Sequence, residues 1–228
     1  MYHQSPKQMS DTNKPLINGS YRALRRAIGI LGILLPWILM LRTMKVEPSI
    51  SHYYYTIGTP IFTGVLILWA VFLLSYRGHP LTATEKVSDN KLTNIAGFFA
   101  LIPVFIPTTC HAGQCHTFCH YSSVIGAIHL VSAGLFLFFV GAMSFFKFPL
   151  GGKKVRFYKT MGIIVWASIA LMLIYFGLEK RFNLKEIFPN GILIGEIIGV
   201  TAFGISWLMK GKPEEMVIFK KRNHKSGG

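Results

Sequence analysis

Long uninterrupted runs of apolar residues dominate the chain, and each run is bounded by charged residues, glycine or proline. A helix that crosses the hydrocarbon core of a bilayer, about 30 Å thick, needs roughly 20 apolar residues. Six runs meet or approach that length, at residues 23–43, 57–76, 92–109, 122–146, 160–178 and 191–209. Membrane β-barrels show short alternating segments instead. The pattern therefore predicts an all-α membrane protein with six transmembrane helices.

The polar segments between these runs are short, which leaves no room for a separate soluble domain. We expect an N-terminal tail over 1–22, a transmembrane domain over 23–209 and a basic C-terminal tail over 210–228. Of the 228 residues, 51% are apolar and 14% are charged. In soluble domains about a quarter of the residues are charged, so the composition also argues against a soluble protein and against a disordered chain.

The basic residues are divided unevenly between the two sides that six helices would define. When Arg25 and Arg26, at the start of the first run, are counted with the N-terminal tail, and Arg42, at its end, with the first connection, 19 of the 24 fall in the two tails and the second and fourth connections. The other three connections hold 5. Cytoplasmic segments carry the excess of Lys and Arg, so both termini are predicted to be cytoplasmic. The net charge of +15 is then explained by the basic residues of the cytoplasmic segments. We expect membrane lipids and no nucleic acid as partners, and a multi-pass location in a bacterial inner membrane.

Polar residues other than Lys and Arg concentrate toward the predicted outer side. Glu196 is the only acidic residue within a predicted span, and His129 lies at a similar depth in the fourth span. Ionisable groups inside a membrane are costly and are therefore the first candidates for function. We expect Glu196 and His129 to share a hydrogen bond or a ligand. The predicted outward-facing pocket is lined by Ser51, His52, Tyr53, Tyr55, His129 and Glu196.

Each of these residues also has a structural interpretation. Glu196 could be bonded to a tyrosine or paired with a loop cation such as Arg181. His129 shares a helix face with Gly126 and Ala133, which suits tight packing of a satisfied histidine. The tyrosines fit the aromatic belt at the level of the lipid headgroups.

Three cysteines, each followed by a histidine, lie in the third connection. Cysteine and neutral histidine are ligands of zinc sites, so a zinc cofactor is one interpretation. Its candidate ligands are Cys110, His111, Cys115, His116, Cys119 and His120. In the predicted topology the connection faces an oxidising compartment, where two cysteines commonly form a disulfide and one thiol would remain.

A glycine recurs every fourth residue on one face of the sixth span, at Gly191, Gly195 and Gly199. Such a stripe of small residues lets a second backbone approach closely. The partner could be another helix of the same chain or a second copy in a homo-oligomer.

Several motifs resemble an uncharacterised bacterial family of small six-helix integral membrane proteins. They are PSISHYYYT at 48–56, IHLVSAG at 128–134 and AFGISW at 202–207. The resemblance covers nearly the whole chain up to Lys210 and implies a six-helix membrane fold without an assigned activity. More distantly, the Ser-Ile-Ser segment is similar to autophagy-modulator and GPI-lipid-remodelling membrane proteins. The intramembrane Ser, His and acidic residues are similar to ceramidase-like hydrolases, which bind zinc.

Three functions follow from these observations. The leading one is a non-catalytic membrane protein that binds a lipid or small ligand in the outward pocket. A metal-dependent hydrolase would use His52 and His129 as ligands and Glu196 as a ligand or general base. A proton- or metal-linked transporter would use Glu196 together with the Cys-His connection.

The division of basic residues makes the topology testable in intact cells. We expect a membrane-impermeant thiol reagent to label Asn183→Cys and to leave Ser88→Cys unlabelled, because position 183 lies in an outer connection and position 88 in an inner one. Labelling of position 88 from outside would contradict the predicted orientation.

Overall fold

The computed structural model describes residues 14–78, 85–110, 119–151 and 154–211, and these ranges contain helices and no strand. The α-helices are α1 (Lys14–Thr43), α2 (Thr59–Ser75), α3 (Asp89–Phe105), α4 (Ser123–Ala142), α5 (Val155–Phe182), α6 (Leu184–Ile187) and α7 (Gly191–Lys210). A 3₁₀ turn covers Ile50–Tyr55, and a π turn over Met143–Lys147 continues α4. The predicted all-α class is confirmed.

Four helical segments are long and apolar enough to cross a membrane. They are Gly19–Thr43, Ser123–Leu150, Val155–Glu179 and Gly191–Lys210. Helix α2 is apolar but has only 17 residues, and α3, also 17 residues long, begins with polar residues. These four segments suggest a multi-pass membrane protein. The predicted six spans are not confirmed and stay a prediction.

The helices form a closed ring that follows the order of the chain. Helix α1 packs on α2, α2 on α3, α3 on α4, α4 on α5 and α5 on α7, and α7 returns to α1. The 3₁₀ turn Ile50–Tyr55, which we name the capping turn, lies against α1, α2 and α7. Most of its residues are buried. The turn therefore closes one end of the ring.

Aromatic side chains fill the axis of the ring below the capping turn. Trp69 stacks on Phe136 with 5.9 Å between ring centroids, and its edge meets Phe203 at 5.2 Å. Trp207 continues the column through edge-to-face contacts with Phe72 and Phe148, both at 5.0 Å. Such contacts add to the free energy gained by burying the rings, so the column joins four elements of the bundle.

Helices α1 and α7 approach each other through glycines that the sequence pattern did not single out. A β-carbon on Gly204 would lie 2.6 Å from the carbonyl oxygen of Gly29 and 2.8 Å from the amide nitrogen of Ile33. A β-carbon on Gly32 would lie 2.9 Å from the Cα of Gly204. The obstructing atoms are backbone atoms, which cannot move aside, so only glycine fits this crossing.

The glycine stripe of α7 packs against α5 of the same chain. Gly195 faces Met172, and Gly199 faces the Ser168 hydroxyl, which would lie 2.5 Å from an added β-carbon. Gly191 faces the ring of Tyr175. Of the two alternatives for this stripe, the structure shows the contact within the chain. Association of two copies through the stripe stays a prediction.

Buried charges meet at the end of the ring opposite the capping turn, and we name Arg25, Asp89, Lys147 and Lys210 the charged cluster. Lys147 Nζ lies 2.6 Å from Glu85 and 3.8 Å from Asp89. Arg25 donates to the Tyr76 hydroxyl at 3.0 Å, and Lys210 donates to the Phe148 carbonyl at 2.9 Å. The basic residues of the cluster contribute to the predicted topology, and in the structure each of them also bonds another segment of the bundle.

The close approach of α1 and α7 predicts that replacing glycine by alanine affects stability differently at two positions. We expect Gly204→Ala to lower the free energy of unfolding by about 1–3 kcal/mol, the usual cost of overpacking. Gly134→Ala is the matched control, because nothing lies within 4 Å of a β-carbon there. It should leave stability unchanged or raise it, since alanine favours helix more than glycine does. Thermal unfolding in detergent measures both, and equal stability of the two variants would contradict the close approach.

Candidate functional site

Hydrogen bonds made by Pro48 and Ser49, the two residues before it, hold the capping turn in place. Ser49 has an extended backbone, and its hydroxyl accepts from the His52 amide at 3.3 Å, which caps the turn. The Pro48 carbonyl accepts from the amide of Leu193 at 3.1 Å. That amide belongs to the first turn of α7, where no intrahelical acceptor exists. The first turn of α7 therefore finds an acceptor for one of its free amides in the segment that leads into the capping turn.

Ser51 and His129 form a direct hydrogen bond inside the bundle. The distance from Ser51 Oγ to His129 Nε2 is 2.8 Å, and the distance from His129 Nδ1 to the Ile106 carbonyl oxygen is 2.7 Å. A carbonyl oxygen only accepts, so Nδ1 of His129 carries the proton. In the neutral imidazole Nε2 is then an acceptor, and the Ser51 hydroxyl donates to it.

The Ile106 carbonyl is available for this bond because α3 ends beside it. The helix ends at Phe105, and Pro107 follows, which has no amide hydrogen and disfavours helix in the residue before it. His129 is only 2% exposed, so its ring is fixed between the end of α3 and the capping turn. The orientation of the His129 imidazole is thus fixed by one hydrogen bond on each of its two nitrogens.

Glu196 meets the same turn from α7. Its Oε2 accepts a hydrogen bond from the backbone amide of Ile50, the neighbour of Ser51. We expected Glu196 and His129 to share a hydrogen bond or a ligand. In the structure the capping turn lies between α4 and α7, so the two side chains bind adjacent residues of that turn and not each other.

A cavity of about 50 Å³ lies on the axis of the ring beside Ser51 and Glu196. Its walls are apolar and come mainly from Leu35, Phe62, Leu66, Phe136, Leu137 and Val200. Trp69 also lines it, and its buried indole N–H has no hydrogen-bond acceptor among the described residues. A volume of roughly 10–15 Å³ holds one water, so the cavity has room for a few waters or for part of a small ligand.

The other predicted pocket residues stabilise the turn and do not line the cavity. His52 Nδ1 lies 2.6 Å from Ser49 Oγ. Tyr53 donates to the Lys45 carbonyl at 2.9 Å, and Tyr55 donates to the Thr108 carbonyl. Burial raises the pKa of Tyr55 to about 12, with a smaller contribution from Tyr54. Its hydroxyl therefore stays protonated and remains a donor at neutral pH.

The structure brings three of the predicted pocket residues together at this cavity. Ser51 and Glu196 line the cavity, and His129 lies directly behind Ser51. Trp69 was missed by the sequence analysis, because one tryptophan within an apolar run carries no signal for the direction it faces.

The Cys-His connection contains a disulfide between Cys110 and Cys119, with Cα atoms 5.6 Å apart. The Cys110 amide also donates to the His120 carbonyl at 2.9 Å. Two of the proposed zinc ligands are therefore bonded to each other and are not thiolates, which corrects that part of the metal hypothesis.

The remaining candidate ligands fall into two groups. His111, Cys115 and His116 lie outside the described residues. His120 Nε2 lies 2.9 Å from the Pro107 carbonyl. In the part of the chain that the structure describes, no three metal-binding side chains lie together.

The bond between Glu196 and Ile50 makes a prediction about stability. In Glu196→Gln the amide oxygen still accepts from the Ile50 amide, whereas Glu196→Leu leaves that buried donor without an acceptor. We expect Leu to lower the free energy of unfolding by about 1–3 kcal/mol relative to Gln. Thermal unfolding in detergent measures the difference, and a leucine variant as stable as the glutamine variant would contradict the assigned bond.

Comparison of the chain with protein-family models, with curated proteins and with solved structures finds no match. The resemblance to six-helix membrane proteins therefore stays a prediction.

Proposed function

We propose that the chain is a six-span protein of a bacterial inner membrane, with both termini in the cytoplasm and the capping turn at the outer end. The 19-to-5 division of basic residues supports this orientation. The Cys110–Cys119 disulfide supports it as well, because disulfides persist on the oxidising side of a membrane. The charged cluster then lies at the cytoplasmic end.

The proposed function of the cavity is to bind the acyl-ester part of a membrane lipid. The observation that carries the proposal is the Trp69 indole N–H, a buried donor that has no acceptor among the described residues, on a side chain that lines a cavity with apolar walls. Native proteins rarely leave a buried donor unpaired, because doing so costs about 1–3 kcal/mol. An ester oxygen would accept from the indole, and the acyl chain would contact the walls.

The other polar groups of the cavity suit the same ligand. Glu196 uses Oε2 for Ile50, so Oε1 remains available to a hydroxyl of a lipid headgroup. Glu196 forms no ion pair within the described residues, and its neighbours across the cavity are apolar. A neutral amphiphile therefore fits the cavity better than a strongly charged ligand, which would need a counter-charge.

Binding of 1-octanoyl glycerol to the detergent-purified full chain tests the proposal. We expect saturable binding to the wild type by isothermal titration. Trp69→Phe keeps an aromatic ring between Phe136 and Phe203 but removes the donor, so it should bind roughly tenfold more weakly, or about 1.4 kcal/mol.

Trp207→Phe is the matched control, since Trp207 also has a buried indole N–H without an acceptor among the described residues but does not line the cavity. It should bind the glyceride as the wild type does. No saturable binding to the wild type, or equal affinity of Trp69→Phe and the wild type, would overturn the proposal.

A further inference from the structure

We infer that Ser51 is a nucleophile activated by His129, and that the cavity is the active site of an acyl transfer or hydrolysis reaction on the bound ester. The inference rests on the proposed function, because the ester must first occupy the cavity. It goes further by naming the reaction and the reacting atom, Ser51 Oγ.

The hydrogen bonds of His129 select the imidazole tautomer that a general base needs. Its Nδ1 proton is held by the Ile106 carbonyl, which leaves the Nε2 lone pair directed at the Ser51 hydroxyl, 2.8 Å away. Nucleophile and base within about 2.6–3.2 Å, with the base oriented by a third group, is the arrangement of activated serine nucleophiles. Here a backbone carbonyl takes the orienting position that a carboxylate holds in many hydrolases.

The other buried serines of the described residues lack this combination. The Ser132 hydroxyl donates to the Ile128 carbonyl, and that of Ser168 donates to the Val165 carbonyl. Ser49 does bond a histidine, His52, but it does not line the cavity. Ser51 is the one of these that both bonds an imidazole and borders the space for a ligand. A hydroxyl with a purely structural role would not need to border the cavity.

The reaction balances with the groups present. Ser51 Oγ attacks the ester carbonyl carbon as its proton moves to His129 Nε2, and a carbon–oxygen bond forms. The bond to the leaving alcohol then breaks, and His129 returns the proton to that alcohol. Water, or a second alcohol as acceptor, attacks the acyl-Ser51 ester while His129 takes its proton, and Ser51 is regenerated.

Charge develops on the carbonyl oxygen during each attack, and a positioned donor lowers that barrier. We assign this role to the indole N–H of Trp69, which lines the cavity and whose buried N–H has no acceptor among the described residues. The positive charge that develops on His129 is stabilised by the Ile106 carbonyl, which faces the opposite ring nitrogen.

An octyl fluorophosphonate tests the inference on the detergent-purified full chain. The reagent forms a phosphorus–oxygen bond with an activated hydroxyl and releases fluoride. We expect intact-mass analysis to show one adduct on the wild type, and peptide mapping to assign it to Ser51. Ser51→Ala should give none, and His129→Gln should react at least 100-fold more slowly, as expected for loss of a general base. Ser132→Ala is the control and should react as the wild type does.

The outcomes separate this inference from the proposed function. Saturable binding of 1-octanoyl glycerol without any adduct on Ser51 would overturn the inference and leave the lipid-binding proposal standing. An adduct on Ser49 or on another residue, or full reactivity of Ser51→Ala, would also overturn it. Thermal unfolding in detergent checks that Ser51→Ala is folded. If His129→Gln fails to fold, release of octanoate by the wild type and its absence in Ser51→Ala decide the question.

Discussion

The structure depends on burying a short polar segment, the capping turn, inside a ring of apolar helices. Backbone amides and carbonyls at this depth lack water, so each needs a partner from the protein. The Ile50 amide finds its partner in the carboxylate of Glu196 on α7. Two side chains of the turn bond other parts of the bundle: Ser51 bonds His129 on α4, and Tyr55 donates to the Thr108 carbonyl, which follows α3. Because the turn uses groups from all of them, it also sets their relative positions at this end of the ring.

The two ends of the ring satisfy buried polar groups in different ways. Near the capping turn, neutral hydrogen bonds dominate, and the one carboxylate binds a backbone amide. At the opposite end, Lys147 lies between Glu85 and Asp89, and the Arg25 guanidinium lies 4.6 Å above the ring of Tyr21. The aromatic column along the axis links the two ends.

One hydrogen bond serves both the fold and the proposed chemistry. The contact between Ser51 and His129 ties the capping turn to α4, and the same contact aligns a hydroxyl with a base beside a cavity. Because the bond is buried, breaking it would leave polar groups without a partner, and the low local dielectric constant also strengthens it. A site built this way needs no mobile loop to align its groups, since the packing of α3, α4 and α7 already does so.

The sequence by itself determined the helical class, because long solid apolar runs fit only helices in a bilayer, and it placed His129 and Glu196 at similar depths. It also allowed a disulfide in the Cys-His connection but could not choose which two of the three cysteines pair. Only the tertiary structure decided which faces point inward. The helices are apolar on nearly all sides, so their periodicity does not separate a cavity wall from a lipid-facing surface. For that reason Trp69, the Gly29–Gly204 crossing and the buried charged cluster became visible only when the helices were packed together. The capping turn separated His129 from Glu196 for the same reason, since its path between α4 and α7 depends on contacts far apart in the chain.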